Sequence, residues 1–209
     1  MPPRSIRLAS PTDATAIQRI YEPYVAETAV SFERDPPSVT EMADHIDATL
    51  PDHPWLVAEV DGEVVGYAYA GPFRSRPAYR WAVECSVYVA PDAHRCGVGR
   101  VLYGALFALL DQQGYRTAYA GMTVPNEASA GLHEALGFTP VGTFEHAGYK
   151  QDAWHDVQWW QRPVGETPAD ADDPPAEPRP LSDLDEDALS VSLAVDAVDA
   201  VDGSAGEEE

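Results

Sequence analysis

Lysine is almost missing from this 209-residue sequence, because twelve of its thirteen basic residues are arginine and only Lys150 is lysine. Thirty-five acidic residues outnumber the basic ones and give a net charge of −22. Nucleic acid and anionic membranes would repel such a chain, so we expect neither as a partner. An acidic composition with so little lysine is typical of proteins from halophilic organisms. Molar salt in their cytoplasm screens the repulsion between like charges to within about 3 Å.

Cysteines and long apolar runs are also scarce. Cys85 and Cys96 are the two cysteines, too few for a disulfide framework or a zinc cluster, so we expect free thiols and no metal. No apolar run approaches the ~18 residues of a membrane span. The opening residues, Met1 to Ser5, lack the apolar segment of a signal peptide. These features predict a cytoplasmic enzyme.

The composition changes after Pro163. Residues 1–163 are enough for one domain with a proper core. Residues 164–209 contain fifteen acidic residues, one arginine and frequent proline and alanine. We therefore predict a catalytic domain over 1–163 and an acidic, low-complexity, disordered tail over 164–209. Within this tail, the apolar spacing of Leu189–Val201 would also allow a short helix or a strand docked on the domain.

Local patterns predict several further elements. Alternating residues at Ile6–Ala9 favour a first strand, and two helices follow, one through Ala16 to Tyr24 and one over Val39–Leu50. Asp61-Gly62 lies between two β-rich runs and predicts a hairpin with a type I′ turn. Two more strands are expected near the end of the domain. This region contains three tryptophans, Trp154, Trp159 and Trp160, which would suit either a dimer surface or the core.

A strand, a glycine loop and a helix follow one another between Val83 and Gly114. Val83–Val89 is a β-branched and aromatic run, and after the loop apolar residues recur at three- and four-residue spacing. Gly97 and Gly99 precede or open the helix, where unpaired backbone N–H groups attract an anion. The loop predicts a phosphate site, although by itself it fits a plain tight turn at least as well.

A second motif resolves this ambiguity. Thr117–Val124 is predicted to be a strand, and Asn126 is a suitable N-cap for the short helix behind it. Together the two motifs resemble those of the GCN5-related N-acetyltransferase (GNAT) superfamily, and between Ile6 and Trp160 the chain most resembles phosphinothricin and methionine sulfoximine N-acetyltransferases. The matching residues are His94-x-x-Gly97-x-Gly99 and Asn126-x-x-Ser129-x-x-Leu132-His133-x-x-x-Gly137-Phe138.

The resemblance implies an α/β fold of the α+β type. Its central sheet is expected to be mixed, mostly antiparallel, splayed near the acetyl-CoA strand and flanked by helices. The implied cosubstrate is acetyl-CoA. The family usually has glutamine or arginine at the first loop position, and His94 departs from it; this difference bears on the affinity for the coenzyme and not on the type of reaction. The residues expected to bind acetyl-CoA are Val87, Tyr88, Val89, Arg95, Cys96, Gly97, Val98, Gly99, Arg100, Asn126 and Ser129.

The acceptor side is predicted from the loop Gly71–Arg80, called the arginine loop because it carries three arginines. Guanidinium groups bind oxyanions bidentately, so the loop would suit an acceptor bearing a phosphinate or carboxylate. The alternative is that the arginines pair with the acidic surface. By resemblance, Phe32 forms a wall of the acceptor pocket, unless it only anchors the connection between two helices. The predicted substrate-binding residues are Phe32, Arg74, Arg76 and Tyr79.

Two residues are candidates for catalysis. Acetyl transfer to an amine requires proton removal, because amines with pKa values of about 8 or higher are mostly protonated at neutral pH. Glu84 is the expected general base, since a carboxylate in so apolar a strand is unusual unless it is solvated or functional. His133 occupies the position of the superfamily's tyrosine acid, and its imidazole could share the base role or protonate the thiolate.

The predicted function is therefore N-acetylation of a small amino-acid-like amine by direct transfer in a ternary complex. Two alternatives stay open at this point: a non-catalytic acyl-CoA-binding regulatory module, and a peptide N-terminal acetyltransferase. The resemblance also implies a homodimer, with a small-molecule amine acceptor as the partner of the site. A covalent route through Cys85 or Cys96 is disfavoured, because neither has a base partner at motif level.

Overall fold

The structure, a computed structural model, describes residue 3, residues 5–165 and residues 176–193. Within these residues the strands are β1 (Ser5–Leu8), β2 (Trp55–Val60), β3 (Glu63–Pro72), β4 (Ala82–Val89), β5 (Thr117–Val124), β6 (Thr139–Lys150) and β7 (Ala153–Pro163). The helices are α1 (Ala14–Ala26), α2 (Val39–Thr49), α3 (Val98–Gln113), α4 (Glu127–Ala135) and α5 (Glu186–Leu193). Helix α5 and the short turn before it belong to the C-terminal segment 176–193.

The seven strands form one sheet in the order β1-β2-β3-β4-β5-β7-β6. Strands β4 and β5 are parallel, whereas the other neighbouring pairs are antiparallel. Helices α1 and α2 pack on one face around Ile17, Ile46 and Trp55, and α3 packs on the other face. The predicted mixed, mostly antiparallel sheet with flanking helices is confirmed.

Turn and cap chemistry explains where several elements begin and end. Asp61 and Gly62 have φ values of 52° and 85°, so both adopt the left-handed conformation that a type I′ hairpin requires. The Ser38 hydroxyl accepts a hydrogen bond from the Glu41 amide at the start of α2. Gly114, with φ 90°, ends α3 in a left-handed conformation. These local signals are readable in the sequence.

Strands β4 and β5 separate partway along their length. Among the described residues they pair from Ala82 with Thr117 to Glu84 with Tyr119, whereas β5 pairs with β7 along its full length. Beyond Glu84, β4 stays paired with β3 up to Val89. The separation therefore opens a cleft in the sheet directly after Glu84.

The C-terminal segment corrects the expectation of a disordered tail for residues 176–193. Leu181 and Leu184 are buried in the core that includes α3, and the Arg179 amide donates to the Gln113 carbonyl at 2.8 Å. Enough apolar side chains recur here to cover the end of α3, which the acidic composition concealed. Residues 166–175 and 194–209 lie outside the described residues, and the domain boundary after residue 163 stays a prediction.

Candidate active site

The cleft between β4 and β5 is lined by residues of β4 and of the motif that begins at Asn126. It encloses about 60 Å³, and its lining includes Cys85, Val87, Tyr103, Asn126, Ser129 and His133. Strand β4 supplies one wall, and α4 supplies another through its first two turns. Ser86 and Asn126, 40 positions apart in the sequence, therefore meet at one site.

The N-terminus of α3 opens beside this cleft. Arg95 and Gly97 have φ values of 61° and 80°, so the loop turns sharply into a helix of sixteen residues. The first N–H groups of a helix have no intrahelical partner, and the helix dipole adds partial positive charge there. Arg95 and Arg100 are exposed on either side of the turn. This end of α3 is suited to an anion such as a pyrophosphate, and the binding of one by Cys96 to Arg100 stays a prediction.

Gly99 makes a close approach between two helices possible. A Cβ at this position would lie 3.1 Å from Leu132 Cδ2 of α4 and 3.8 Å from Val87 Cγ2 of β4. An alanine here would require the Leu132 side chain to shift by a few tenths of an ångström. The glycine therefore allows Leu132 of α4 to pack directly on the first turn of α3.

His94 is directed toward β4 by local contacts. Its Nε2 lies 3.0 Å from the Val89 carbonyl oxygen and 2.9 Å from the Tyr24 hydroxyl, which itself donates to that oxygen at 2.7 Å. His94 thus secures the loop to the end of β4.

Asn126 and Ser129 organise the start of α4. The Asn126 side chain accepts a hydrogen bond from the Ser129 amide at 3.1 Å, so the predicted N-cap is present. Four residues after Ser129, His133 is 3% exposed, and its Nδ1 lies 2.7 Å from the Ser129 carbonyl oxygen. Since a carbonyl oxygen can only accept, Nδ1 carries the proton and Nε2 has a free lone pair.

The Nε2 atom of His133 is buried without a hydrogen-bond partner among the residues that the structure describes. Burial lowers the pKa of His133, an effect that the Ser129 carbonyl opposes. The neutral imidazole is therefore the favoured form. Such a group accepts a hydrogen bond or a proton at Nε2 more readily than it donates one.

Glu84 stands where the cleft begins. It is half-buried on β4, and burial raises the pKa of its carboxyl group, while the positive charge of Arg74 opposes that shift. Arg74 itself lies over the Phe73 ring, with its guanidinium carbon 4.0 Å from the ring centroid. The structure thus brings the predicted base close to one of the predicted acceptor arginines.

The other predicted acceptor residues lie farther out. Arg76 and Tyr79 are exposed, and the Tyr79 ring meets Phe73 edge-on with centroids 6.0 Å apart. Phe32 packs over Gly148 of β6, where a Cβ would overlap its ring. Lys150 secures this region by donating to the carbonyl oxygens of Val25 and Ser31 at 2.6 and 2.7 Å.

A larger cavity of about 440 Å³ lies on the sheet face covered by α1 and α2. Tyr21, Glu33, His45, Trp55 and Tyr69 are among its lining residues. Burial raises the pKa of Tyr69 to about 12, an effect that a hydrogen bond with Ser86 of β4 opposes. Because Ser86 is two residues from Glu84 and strand side chains alternate, this cavity adjoins the Glu84 side of the sheet.

Sequence reasoning missed Tyr103. This α3 residue is 1% exposed, lines the cleft, and has its ring 5.6 Å from that of His133. Burial raises its pKa well above 10, so its hydroxyl keeps its proton. In the sequence it continues an apolar helical face, where a core tyrosine and a functional one look alike.

Cys85 shows no sign of nucleophilic activation. Neither cysteine forms a disulfide among the described residues, and burial raises the pKa of the Cys85 thiol. Raising the pKa reduces the thiolate fraction on which a nucleophile depends. In the part of the chain that the structure describes, no cluster of three or more His, Cys, Asp or Glu residues could hold a metal ion.

A splayed pair of parallel strands beside an open helix N-terminus defines a fold that holds a long, phosphate-bearing ligand. Residues 6–159 match the acetyltransferase (GNAT) domain family. Phosphinothricin N-acetyltransferase of Streptomyces viridochromogenes is 42% identical over 182 residues, covering 87% of this chain and 97% of that protein. The L-methionine sulfoximine/L-methionine sulfone acetyltransferase of Salmonella typhimurium is 35% identical over 163 residues, covering 78% of this chain and 95% of that protein.

A solved structure gives the same result. The GNAT superfamily phosphinothricin acetyltransferase of Sinorhizobium meliloti, in complex with AcCoA, superposes with a TM-score of 0.78 at 35% identity and covers 83% of this chain and 93% of that one. This chain belongs to the GNAT acetyltransferase family. It is an acetyltransferase that uses acetyl-CoA, and the open α3 N-terminus and the adjoining cleft fit that cosubstrate.

Proposed function

We propose that the protein acetylates the amine of a small amino-acid-like acceptor, of the phosphinothricin, methionine sulfoximine or methionine sulfone type, by direct transfer in a ternary complex. The observation that carries this proposal is the position of Glu84, half-buried at the point where β4 leaves β5, with Arg74 close enough to affect its pKa. The named activities of the relatives support the same acceptor class.

Acetyl-CoA supplies an activated acetyl group as a thioester. The backbone of residues 96–100, flanked by Arg95 and Arg100, holds the pyrophosphate at the α3 N-terminus. Val87, Tyr88 and Val89 border the pantetheine arm along the free edge of β4, and Asn126 and Ser129 border it from α4. The Val89 carbonyl already accepts from Tyr24, so the earlier β4 residues carry more of the contact.

Glu84 acts as the general base. A carboxylate whose pKa is raised by burial is a stronger base than one in water, and proximity of Arg74 keeps its ionised form accessible. It takes a proton from the acceptor amine, directly or through one water. The freed amine can then attack the acetyl carbonyl.

His133 and Tyr103 face the cleft as a complementary pair. His133 accepts at Nε2, which follows from its protonated Nδ1, and shares the base role with Glu84. Tyr103 stays protonated because burial raises its pKa, so it donates to charge that develops on the thioester oxygen or the departing sulfur. In this assignment Tyr103, and not His133, is the general acid that protonates the departing thiolate.

The acceptor is held from the side of the arginine loop. Arg74 and Arg76 bind its phosphinate, sulfoximine or carboxylate oxygens, and Tyr79 borders them. Phe32 forms the outer wall, since Lys150 fixes its segment against β6. A fixed cationic loop favours small acceptors with an oxyanion over peptide N-termini.

An acceptor panel tests the proposal. Thiol release from acetyl-CoA is followed with phosphinothricin, methionine sulfoximine, methionine sulfone, a peptide with a free N-terminus and a polyamine. We expect turnover with the first three, and a rise in acceptor KM of about tenfold or more for Arg76→Ala. Turnover of the peptide alone would establish the peptide enzyme, and coenzyme binding by calorimetry without any turnover would favour the regulatory module.

We propose that the protein is a homodimer. Support comes from four exposed apolar side chains on β6 and β7: Val141, Phe144, Tyr149 and Trp154. Contiguous exposed apolar surface is typical of protein interfaces. Trp160, in contrast, is buried in the core. Sedimentation should give twice the monomer mass, and Phe144→Asp should shift it to the monomer, with the solvent-facing Glu63→Gln as control.

We also propose a salt-rich cytoplasm as its location. Cys85 and Cys96 are free thiols, as a reducing compartment maintains them, and the net charge of −22 is best tolerated at high ionic strength. Among the described residues no helix is long and apolar enough to cross a membrane. The melting temperature should rise between 0.1 and 2 M KCl, and a flat profile would argue against a saline source.

A further inference from the structure

The C-terminal segment 176–193 is fixed firmly to the far end of α3. The buried amide of Gln113 donates through Nε2 to the carbonyl oxygens of Asp52 at 2.7 Å and Arg179 at 2.9 Å. Leu181 and Leu184 are 4% and 8% exposed in the same core as α3. The segment is therefore an integral part of the fold at this end.

The opposite end of the segment touches the arginine loop. The indole N–H of Trp81 donates to the Ala176 carbonyl oxygen at 2.8 Å, and Arg80 forms an ion pair with Glu177. Arg80 also donates through Nε to the Pro77 carbonyl within the loop, at 2.9 Å. One arginine thus links the loop's own short 3-10 turn to the C-terminal segment.

The other attachment of the loop lies at its start. There the Phe73 ring stacks on Tyr119 of β5 with centroids 4.1 Å apart, and the Phe73 amide donates to Ala82 at 3.3 Å. Between the two attachments lie Arg74 and Arg76. Fixing both ends limits how far the loop, and with it these two arginines, can move relative to Glu84.

We propose that residues 176–193 act as a strap that positions the arginine loop, with the Ala176 carbonyl and Glu177 as the positioning groups. The link to acceptor binding rests on the proposed function of Arg74 and Arg76. The ion pair with Glu177 also holds the Arg80 side chain toward the C-terminal segment. Loss of the strap contacts should weaken acceptor binding and leave the coenzyme site unaffected.

Full-length point variants test the strap. Trp81→Phe removes the indole N–H and keeps an aromatic ring, Glu177→Gln removes the charge, and the double variant removes both contacts. Hydrogen exchange is measured over residues 73–82, where the amides of Tyr79 and Arg80 donate within the loop. Steady-state kinetics with phosphinothricin give the acceptor KM, the acetyl-CoA KM and kcat. Glu63→Gln, at an exposed position at the far end of β3, is the matched control.

In the double variant we expect loop exchange and acceptor KM each to rise about three- to tenfold, with kcat and acetyl-CoA KM within about twofold. Arg80→Glu alone should raise the acceptor KM by part of this amount. Combining Arg80→Glu with Glu177→Arg should return the acceptor KM toward the wild-type value. Unchanged loop exchange would overturn the strap, and faster exchange with an unchanged acceptor KM would overturn its role in acceptor binding. If the wild type acetylates none of the panel, the proposed function fails, and the exchange data still decide whether the strap holds the loop.

Discussion

Replacing Glu84 by glutamine is the sharpest test of the catalytic assignment. The change keeps the shape of the side chain but removes the proton acceptor at the mouth of the cleft. Loss of a general base costs about 10²–10⁴ in rate, which corresponds to about 2.7–5.4 kcal/mol of transition-state stabilisation. Calorimetry should show acetyl-CoA affinity within about twofold of the wild type, because the residues proposed to bind the pyrophosphate and the pantetheine arm do not include Glu84.

The pH dependence of the rate gives the sign of the effect. Burial raises the pKa of Glu84, so wild-type kcat/KM should fall as the pH drops through that raised value. The ratio of wild-type to variant rate should be largest between the pKa of Glu84 and that of the amine. Above the pKa of the amine the ratio should shrink, since free amine is then abundant.

Stability should move in the opposite direction. A carboxyl group with a raised folded-state pKa contributes stability below its unfolded pKa, and that contribution is lost as the pH rises through the folded-state value. The ionised Glu84 therefore destabilises the fold at pH 7. Glu84→Gln should therefore raise the melting temperature at pH 7, and the difference should disappear as the pH falls below the unfolded-state pKa of the carboxyl group.

Stopped-flow or steady-state thiol release across pH 5–10, at constant salt, measures the rates, and calorimetric melting measures the stability. An unchanged pH–rate profile in Glu84→Gln would move the base role to His133 or to water. A lower melting temperature at pH 7 would show that Glu84 is held by favourable contacts, contrary to the burial argument. Glu59→Gln is unsuitable as a control because Glu59 pairs with Arg7, so the exposed Glu63→Gln serves instead.

Three further variants test other parts of the structure. Tyr103→Phe should lower kcat by about tenfold or more with little change in melting temperature, and an unchanged kcat would exclude its hydroxyl from catalysis. Asp13→Asn should cost about 1.5–3 kcal/mol at pH 7 in urea unfolding, because Arg7 donates to both Asp13 oxygens at 2.8 Å and lowers the pKa of Asp13. That cost should vanish as the pH falls through the lowered pKa, and a cost that persisted would point to packing. Leu181→Ala should lower the free energy of unfolding by about 2–3 kcal/mol, with the exposed Ser182→Ala as the control. If Leu181→Ala were no less stable than Ser182→Ala, residues 176–193 would not dock in solution.

Local signals in the sequence were enough for most of the secondary structure and for the coenzyme loop. The Asp61-Gly62 turn, the helix between Gly97 and Gly114 and the Asn126 cap each depend on residues within a few positions of one another. Turn and cap preferences follow from the backbone geometry of those same residues. The sequence therefore determined which elements form, and by their order it pointed to the acetyltransferase family.

Tertiary structure decided which side chains meet. Strand β7 inserts between β5 and β6, and β4 leaves β5 just after Glu84, neither of which is encoded in any short stretch. The approach of Tyr103 to His133 depends on the packing of α3 against α4, whereas the hydrogen bond that sets the tautomer of His133 is local to α4. For residues 176–193, the acidic composition suggested disorder, whereas docking depends on an apolar surface of α3 that only the folded sheet presents. Contacts of this kind depend on long-range burial, so only the folded chain determines them.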